Sequence, residues 1–158
     1  MNVALVYDRV NTWGGAERVL LALQELFPEA PLYTSVYYPS TAQWANGFSI
    51  RASFLQHIPY VSRRHQLLAM FMPHAFEQFD FDQYDLVISV TSEAAKGIVT
   101  KPHTKHICYC LTPTRYLWSG YDTYFSSKIF QWLSQPFVSY LRTWDKAAAQ
   151  RPDSIISI

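Results

Sequence analysis

The chain has 158 residues, which is long enough for one domain with a substantial core. Its 13 Lys and Arg nearly balance its 12 Asp and Glu, so the net charge of +1 excludes nucleic-acid binding through bulk positive charge. Charged residues and aromatic residues each make up 16%, which indicates either an aromatic-rich core or an apolar surface that a partner covers.

The first predicted elements are a strand at Val3–Tyr7 and a helix that follows a glycine pair, Gly14 and Gly15. The helix is predicted because apolar residues recur at three- and four-residue steps from Ala16 to Phe27. Without a Cβ, the glycines let the backbone approach a ligand and present N–H groups at the helix N-terminus, which favours phosphate. A plain tight turn is the alternative.

This strand, loop and helix could instead be the dinucleotide-binding site of an oxidoreductase, but two features of the sequence disfavour that interpretation. The loop lacks the third glycine of the G-x-G-x-x-G fingerprint. The second apolar run, Leu32–Tyr37, ends in no acidic residue that binds a ribose hydroxyl.

Strand-like and helical segments then alternate, which predicts an α/β fold: a Rossmann-like parallel sheet with helices on both faces. Further strands are predicted within residues 48–55 and at Leu86–Val90, His106–Cys110 and Ser154–Ile158. Because the last strand has no helix after it to cover it, we expect a further domain to follow.

Three helical segments lie between these strands. The stripe from Leu67 to Phe79 contains Pro73, which we expect to kink the helix or to begin a second one. Thr91 and Ser92 are placed to cap a short helix that ends at Gly97. A long helix over 127–150 is predicted to bend at Pro136.

Four His and Cys side chains superficially resemble a metal site: His103, His106, Cys108 and Cys110. Their spacing matches no closed zinc site, so we predict that no metal is bound. Two cysteines two residues apart suit reduced thiols. Since no signal peptide or membrane-spanning run is present in the sequence, we expect a cytoplasmic protein.

Polar loops follow three of the predicted strands, at residues 8–15, 91–93 and 111–118. In parallel sheets, ligands bind beyond the carboxyl ends of the strands. These loops bring together a glycine pair, two hydroxyls, an arginine and several aromatic rings, a combination that suits a phosphorylated, sugar-like ligand.

The chain resembles the N-terminal domain of family 4 glycosyltransferases of GT-B architecture. The resemblance is carried in chain order by Tyr7–Asn11, Gly14–Arg18, Tyr84–Gly97 and Ile107–Trp118. It implies the first of two Rossmann-like domains, with the donor-binding C-terminal domain absent from these residues. It implies transfer of a sugar, with retention of configuration, from a nucleotide-sugar to a glycan or lipid-linked acceptor, without a cofactor or an essential metal.

The resemblance also implies site residues, but it leaves the catalytic residues unknown. Gly14 and Gly15 would contact the donor diphosphate, and the acceptor would contact Glu17, Thr91, Ser92, Thr112, Arg115, Tyr116 and Trp118. Apart from Thr112, each acceptor residue also has a simpler explanation, such as the helix dipole, a helix cap, a surface ion pair or a buried ring. Many relatives carry His at the position of Leu111. Such a His can donate a hydrogen bond to the donor sugar, and the leucine of this chain cannot.

A membrane surface is a further predicted partner. Arg63 and Arg64 precede an apolar helical stripe. Positive charge at the N-terminus of a helix is opposed by the helix dipole, but anionic lipid headgroups would attract the two arginines. We therefore expect a peripheral protein at the inner face of the membrane, with a solvated basic corner as the alternative. A binding module without turnover remains an alternative function for the whole chain.

Overall fold

The computed structural model describes residues 1–58, 65–124 and 128–157. Six parallel strands form one sheet in the order β3-β2-β1-β4-β5-β6. Their bounds are Val3–Tyr7 (β1), Leu32–Thr34 (β2), Ile50–Ala52 (β3), Leu86–Thr91 (β4), Lys105–Cys110 (β5) and Ser154–Ser157 (β6). The predicted α/β, Rossmann-like parallel sheet is confirmed.

The described helices are Gly15–Leu26 (α1), His65–Glu77 (α2), Tyr121–Tyr124 (α3) and Lys128–Ala148 (α4). Pro73 lies inside α2 and Pro136 inside α4, so each proline sits within one helix and neither begins a new one. Among the described helices, none combines the length and the apolar character that crossing a membrane requires.

The core has two parts, one on each face of the sheet. In β1, Ala4 and Val6 pack on the side of α2, whereas Val3 and Leu5 pack on the side of α1. Strand alternation produces this division, because successive side chains point to opposite faces. Helices on both faces are therefore confirmed.

Aromatic rings fill much of the core on the α2 side. The ring centroids of Tyr33 and Phe81 lie 4.9 Å apart, and the hydroxyls of Tyr33 and Tyr84 are hydrogen-bonded at 3.0 Å. Phe76 and Phe81 are almost fully buried. The aromatic composition is thus explained in part by the core, although α4 also exposes several aromatic side chains.

Strand β2 ends at Thr34 and is therefore shorter than the predicted apolar run Leu32–Tyr37. Beyond it, the backbone N–H and the hydroxyl of Ser35 both donate to the carbonyl oxygen of Asp8. This contact ties the end of β2 to the loop after β1, at the carboxyl edge of the sheet.

Candidate functional site

A polar cleft opens where the strand order reverses. From β1 the chain proceeds through β2 and β3 on one side, while β4, β5 and β6 lie on the other. The loops after β1 and β4 diverge there, and ligands of open α/β sheets bind at such switch points. The cleft has a volume of about 300 Å³ and is lined by Tyr7, Asp8, Arg9, Asn11, Thr12, Ser92 and Glu93.

Asp8 joins the two loops that form the cleft. Its carboxylate is buried and accepts the hydroxyl hydrogen of Thr91, whose oxygen lies 3.0 and 3.2 Å from the two carboxylate oxygens. It also accepts backbone N–H bonds of 2.7 to 3.0 Å from four consecutive residues, Ser92, Glu93, Ala94 and Ala95. With both oxygens occupied, Asp8 holds the loop after β4 in place.

The predicted caps at Thr91 and Ser92 are found only in part. Thr91 Oγ1 accepts from the backbone N–H of Glu93 at 3.0 Å. The predicted short helix is a single 3-10 turn, Ala95–Gly97, whose N-cap makes no side-chain hydrogen bond. Asp8, in the loop after β1, supplies most of the capping, and its position directly after a buried strand is the signal that sequence reasoning missed.

An ion pair between Arg9 and Glu93 connects the two sides of the cleft. Both side chains are largely buried, at 21% and 17% exposure. Burial raises the pKa of Glu93 above its ordinary value, while the guanidinium of Arg9 opposes that rise. Burial also raises the pKa of Tyr116, and the charge of Glu93 adds to that rise. The cleft combines one cation, the carboxyl groups of Asp8 and Glu93, and several hydroxyl and amide groups.

Glu17 lies beneath the glycine pair. The hydroxyl of Tyr7 donates to Glu17 Oε1 at 2.7 Å, and Oε2 is buried without a hydrogen-bond partner among the described residues. Burial raises the pKa of Tyr7, and its bond to Glu17 adds to the rise. A Cβ on Gly14 would lie 3.1 Å from Oε2, whereas a Cβ on Gly15 would meet nothing within 4 Å. Gly14 thus makes room for a side chain of the protein itself.

Both glycines are exposed; Gly14 ends the loop that contains the cleft residues Asn11 and Thr12, and Gly15 is the first residue of α1. Gly14 is the N-cap of α1 and provides no side-chain hydrogen bond to the first helical turn. This geometry is compatible with a bound phosphate. The predicted diphosphate contact at Gly14 and Gly15 stays a prediction.

The loop after β5 is fixed by a buried polar cluster around Asp145 of α4. The carboxylate of Asp145 lies 2.7 Å from Lys96 Nζ and accepts from Thr114 Oγ1 and Trp118 Nε1, each at 2.9 Å. The Trp118 ring also lies 5.6 Å from the guanidinium of Arg142. Trp118 therefore contributes to the fold through its indole N–H. Sequence reasoning assigned no role to Lys96 or Asp145.

The predicted acceptor residues do not all come together. Thr91 and Ser92 lie at the cleft, and Glu17 contacts the cleft residue Tyr7. The remaining four are on the β5 loop outside the cleft lining: Thr112, Arg115, Tyr116 and Trp118. Arg115 is exposed. The predicted membrane contacts Arg63 and Arg64 lie outside the described residues.

In the described part of the chain, no three His, Cys, Asp or Glu side chains are grouped as metal ligands. Buried His106 instead forms a 2.8 Å hydrogen bond between its Nε2 and Ser89 Oγ. Burial lowers the pKa of His106 to about 4 and raises that of Cys108 to about 11. Both groups are neutral parts of the core at pH 7.

Comparison of the chain with protein-family models, with curated proteins and with solved structures gave no match. The fold and the cleft define the class: an α/β protein with a Rossmann-like sheet and a polar cleft at its switch point.

Proposed function

We propose that this chain is the acceptor-binding domain of a retaining glycosyltransferase. In this proposal, a sugar passes from a nucleotide-sugar to a glycan or lipid-linked acceptor at the cytoplasmic face of a membrane, without an essential metal. The observation that carries the proposal is the switch-point cleft, whose side chains are all polar or charged except for the ring of Tyr7. Such a surface suits a ligand with many hydroxyl groups.

The size of the cleft supports a small sugar unit. Its volume of about 300 Å³ is at the lower end of the range of about 300–1,000 Å³ for small-molecule sites. Asn11, Thr12 and Ser92 offer amide and hydroxyl groups that can both donate and accept. A single hexose unit, with hydroxyls around its ring, matches this set of partners.

One side chain of the cleft is suited to an acceptor that carries an anionic group, although the carboxyl groups of Asp8 and Glu93 also line the cleft. Arg9 is paired with Glu93, and its guanidinium can exchange that partner for a phosphate or a carboxylate bound through two parallel hydrogen bonds. Arg115, which the sequence predicted for this role, is exposed and outside the cleft lining. We therefore assign anion binding to Arg9 and hydroxyl binding to Glu93. Asp8 is excluded as a general base, since both of its oxygens accept hydrogen bonds.

The test is NMR titration of the isotopically labelled protein with glucose 1-phosphate and with methyl glucoside. The backbone amide signals of Asn11, Thr12 and Ser92 are expected to shift, and the phosphorylated sugar should bind more tightly. Arg9→Gln should weaken binding of the phosphorylated sugar at least tenfold, with Arg115→Gln as the matched control. Shifts confined to the β5 loop, or equal effects of the two variants, would refute the assignment.

A further inference from the structure

The cleft contains more acidic than basic groups before any ligand enters it. Among the described residues, its lining has one cation, Arg9, and two carboxyl groups, those of Asp8 and Glu93. Asp8 accepts hydrogen bonds at both of its oxygens, so a proton on Asp8 would displace one of these donors. Arg9 is paired with Glu93, through Nη2 and Oε1. An anion that binds Arg9 would therefore be the third acidic group around one guanidinium.

Such an anion would replace Glu93 as the partner of the guanidinium. The Glu93 side chain is only 17% exposed, and a carboxylate in that position is costly to leave without its cation. Burial already raises the pKa of Glu93, and the charge of Asp8 adds to the rise, while the charge of Arg9 opposes it. When Arg9 turns to another anion, this opposing charge is lost, and the protonated form of Glu93 is favoured.

The other ionisable groups that face Glu93 do not provide this proton site. Burial raises the pKa values of the Tyr7 and Tyr116 phenols, so both stay protonated near neutral pH. Lys96 donates to the backbone carbonyl oxygen of Glu93, and its Nζ lies 2.7 Å from the Asp145 carboxylate of α4. The guanidinium keeps its charge at every accessible pH. Glu93 is thus the group at which binding of an anion can change the protonation of the cleft.

We propose that the cleft takes up its anionic sugar together with one proton, which Glu93 binds; this inference rests on the proposed function, in which Arg9 binds the anionic group. The guanidinium then pairs with the phosphate or carboxylate of the sugar, and the uncharged carboxyl group of Glu93 can donate a hydrogen bond to it. For a singly charged ligand, the net charge of the cleft stays unchanged. Glu93 therefore determines specificity, since an anionic ligand is admitted only where this group is protonated.

The experiment measures Kd at pH 6 and at pH 9 for two anions of constant charge, methyl glucuronide and inorganic sulfate. Sugar phosphates are avoided because a phosphate monoester itself titrates near roughly pH 6. Binding is followed by NMR, through the backbone amide signals of Asn11, Thr12 and Ser92. Wild-type protein should bind each anion at least tenfold more tightly at pH 6, because uptake of one proton changes Kd about tenfold per pH unit.

Glu93→Gln has an uncharged side chain at every pH. It should bind methyl glucuronide with the same Kd at pH 6 and at pH 9, and at pH 9 it should bind at least tenfold more tightly than wild type. A variant that had lost its fold could not gain affinity. The matched control is Glu77→Gln, which removes a carboxylate that pairs with Arg151 at 2.6 Å outside the cleft lining, and it should keep the pH dependence of wild type.

The inference is overturned if neither anion shifts the three amide signals at either pH, or if Glu93→Gln keeps the pH dependence of wild type. It is also overturned if methyl glucuronide binds wild-type protein with a Kd that does not change with pH, a result that would leave the proposed sugar site standing. The reverse outcome separates the two proposals as well. If sulfate binds with the expected pH dependence and methyl glucuronide binds no more tightly than sulfate, the proton-linked anion site stands and the proposed sugar site fails.

Discussion

Replacing Asp8 with asparagine should destabilise the protein more than any other single isosteric change at the cleft. The Asp8 carboxylate accepts four backbone N–H bonds and one hydroxyl bond, divided between its two oxygens. Asparagine keeps one acceptor oxygen and turns an NH₂ group toward N–H donors. Whichever way the amide turns, two backbone N–H groups lose their acceptor.

The magnitude follows from these lost bonds. A hydrogen bond to a charged group contributes about 1.5–3 kcal/mol, so two lost bonds correspond to about 3–6 kcal/mol of unfolding free energy. At roughly 2–4 °C per kcal/mol for a chain of this size, the Tm should fall by about 6–24 °C. The loss should be larger than for typical point variants.

Urea and thermal unfolding of Asp8→Asn at pH 7 provide the assay. Asp80→Asn is the matched control, because Asp80 is exposed and accepts one bond of 2.8 Å, from the backbone N–H of Asp82. The control should change the unfolding free energy by about 1 kcal/mol or less. If Asp8→Asn also stays within about 1 kcal/mol of wild type, Asp8 does not hold the loop after β4.

Three further predictions concern stability. The folded state keeps His106 neutral because burial lowers its pKa from 6.5 to about 4, so the unfolded chain binds more protons between these values. The urea midpoint of wild type should therefore fall relative to that of His106→Gln as the pH drops from 6.5 to 4, whatever the other groups contribute. Gly15→Val should melt near wild type because its Cβ meets open space, whereas Gly14→Val should melt lower because its Cβ would lie 3.1 Å from a buried carboxylate; equal melting temperatures would contradict this. Lys96→Met should cost about 3–5 kcal/mol, since it leaves Asp145 buried without its cation, and a loss below 1 kcal/mol in urea unfolding would show that the pair is dispensable.

The sequence predicted the sheet because strand and helix periodicities are local. Val3–Tyr7 and the stripe from Ala16 to Phe27 identified β1 and α1 without reference to distant residues. It placed the end of the second strand too late, since Ser35 leaves β2 to bond Asp8, 27 positions away. Local propensity contains no information about such a partner.

The site was predicted at the level of loops but not of side chains. The convergence of the loops after β1 and β4 followed from the parallel sheet, and Ser92 lies in the cleft lining, while its predicted contact with an acceptor stays a prediction. The roles of Arg9 and Glu93 were not predicted, because they lie 84 positions apart and only the strand order makes them neighbours. Glycine spacing alone likewise did not show that Gly14 accommodates Glu17.

The sequence by itself determined the α/β class, the parallel strands and the edge of the sheet at which the polar loops lie. These features depend on residue periodicity and on the alternation of side chains along a strand. Only the tertiary structure decided which polar side chains stabilise the loops and which line the cleft. Asp8 and Asp145 are both acidic residues in the sequence. Each has a buried carboxylate that accepts several hydrogen bonds, because donors from distant segments surround it in the folded chain. Burial and hydrogen-bond partners are properties of the folded chain, and they decide whether a polar group is available to a ligand.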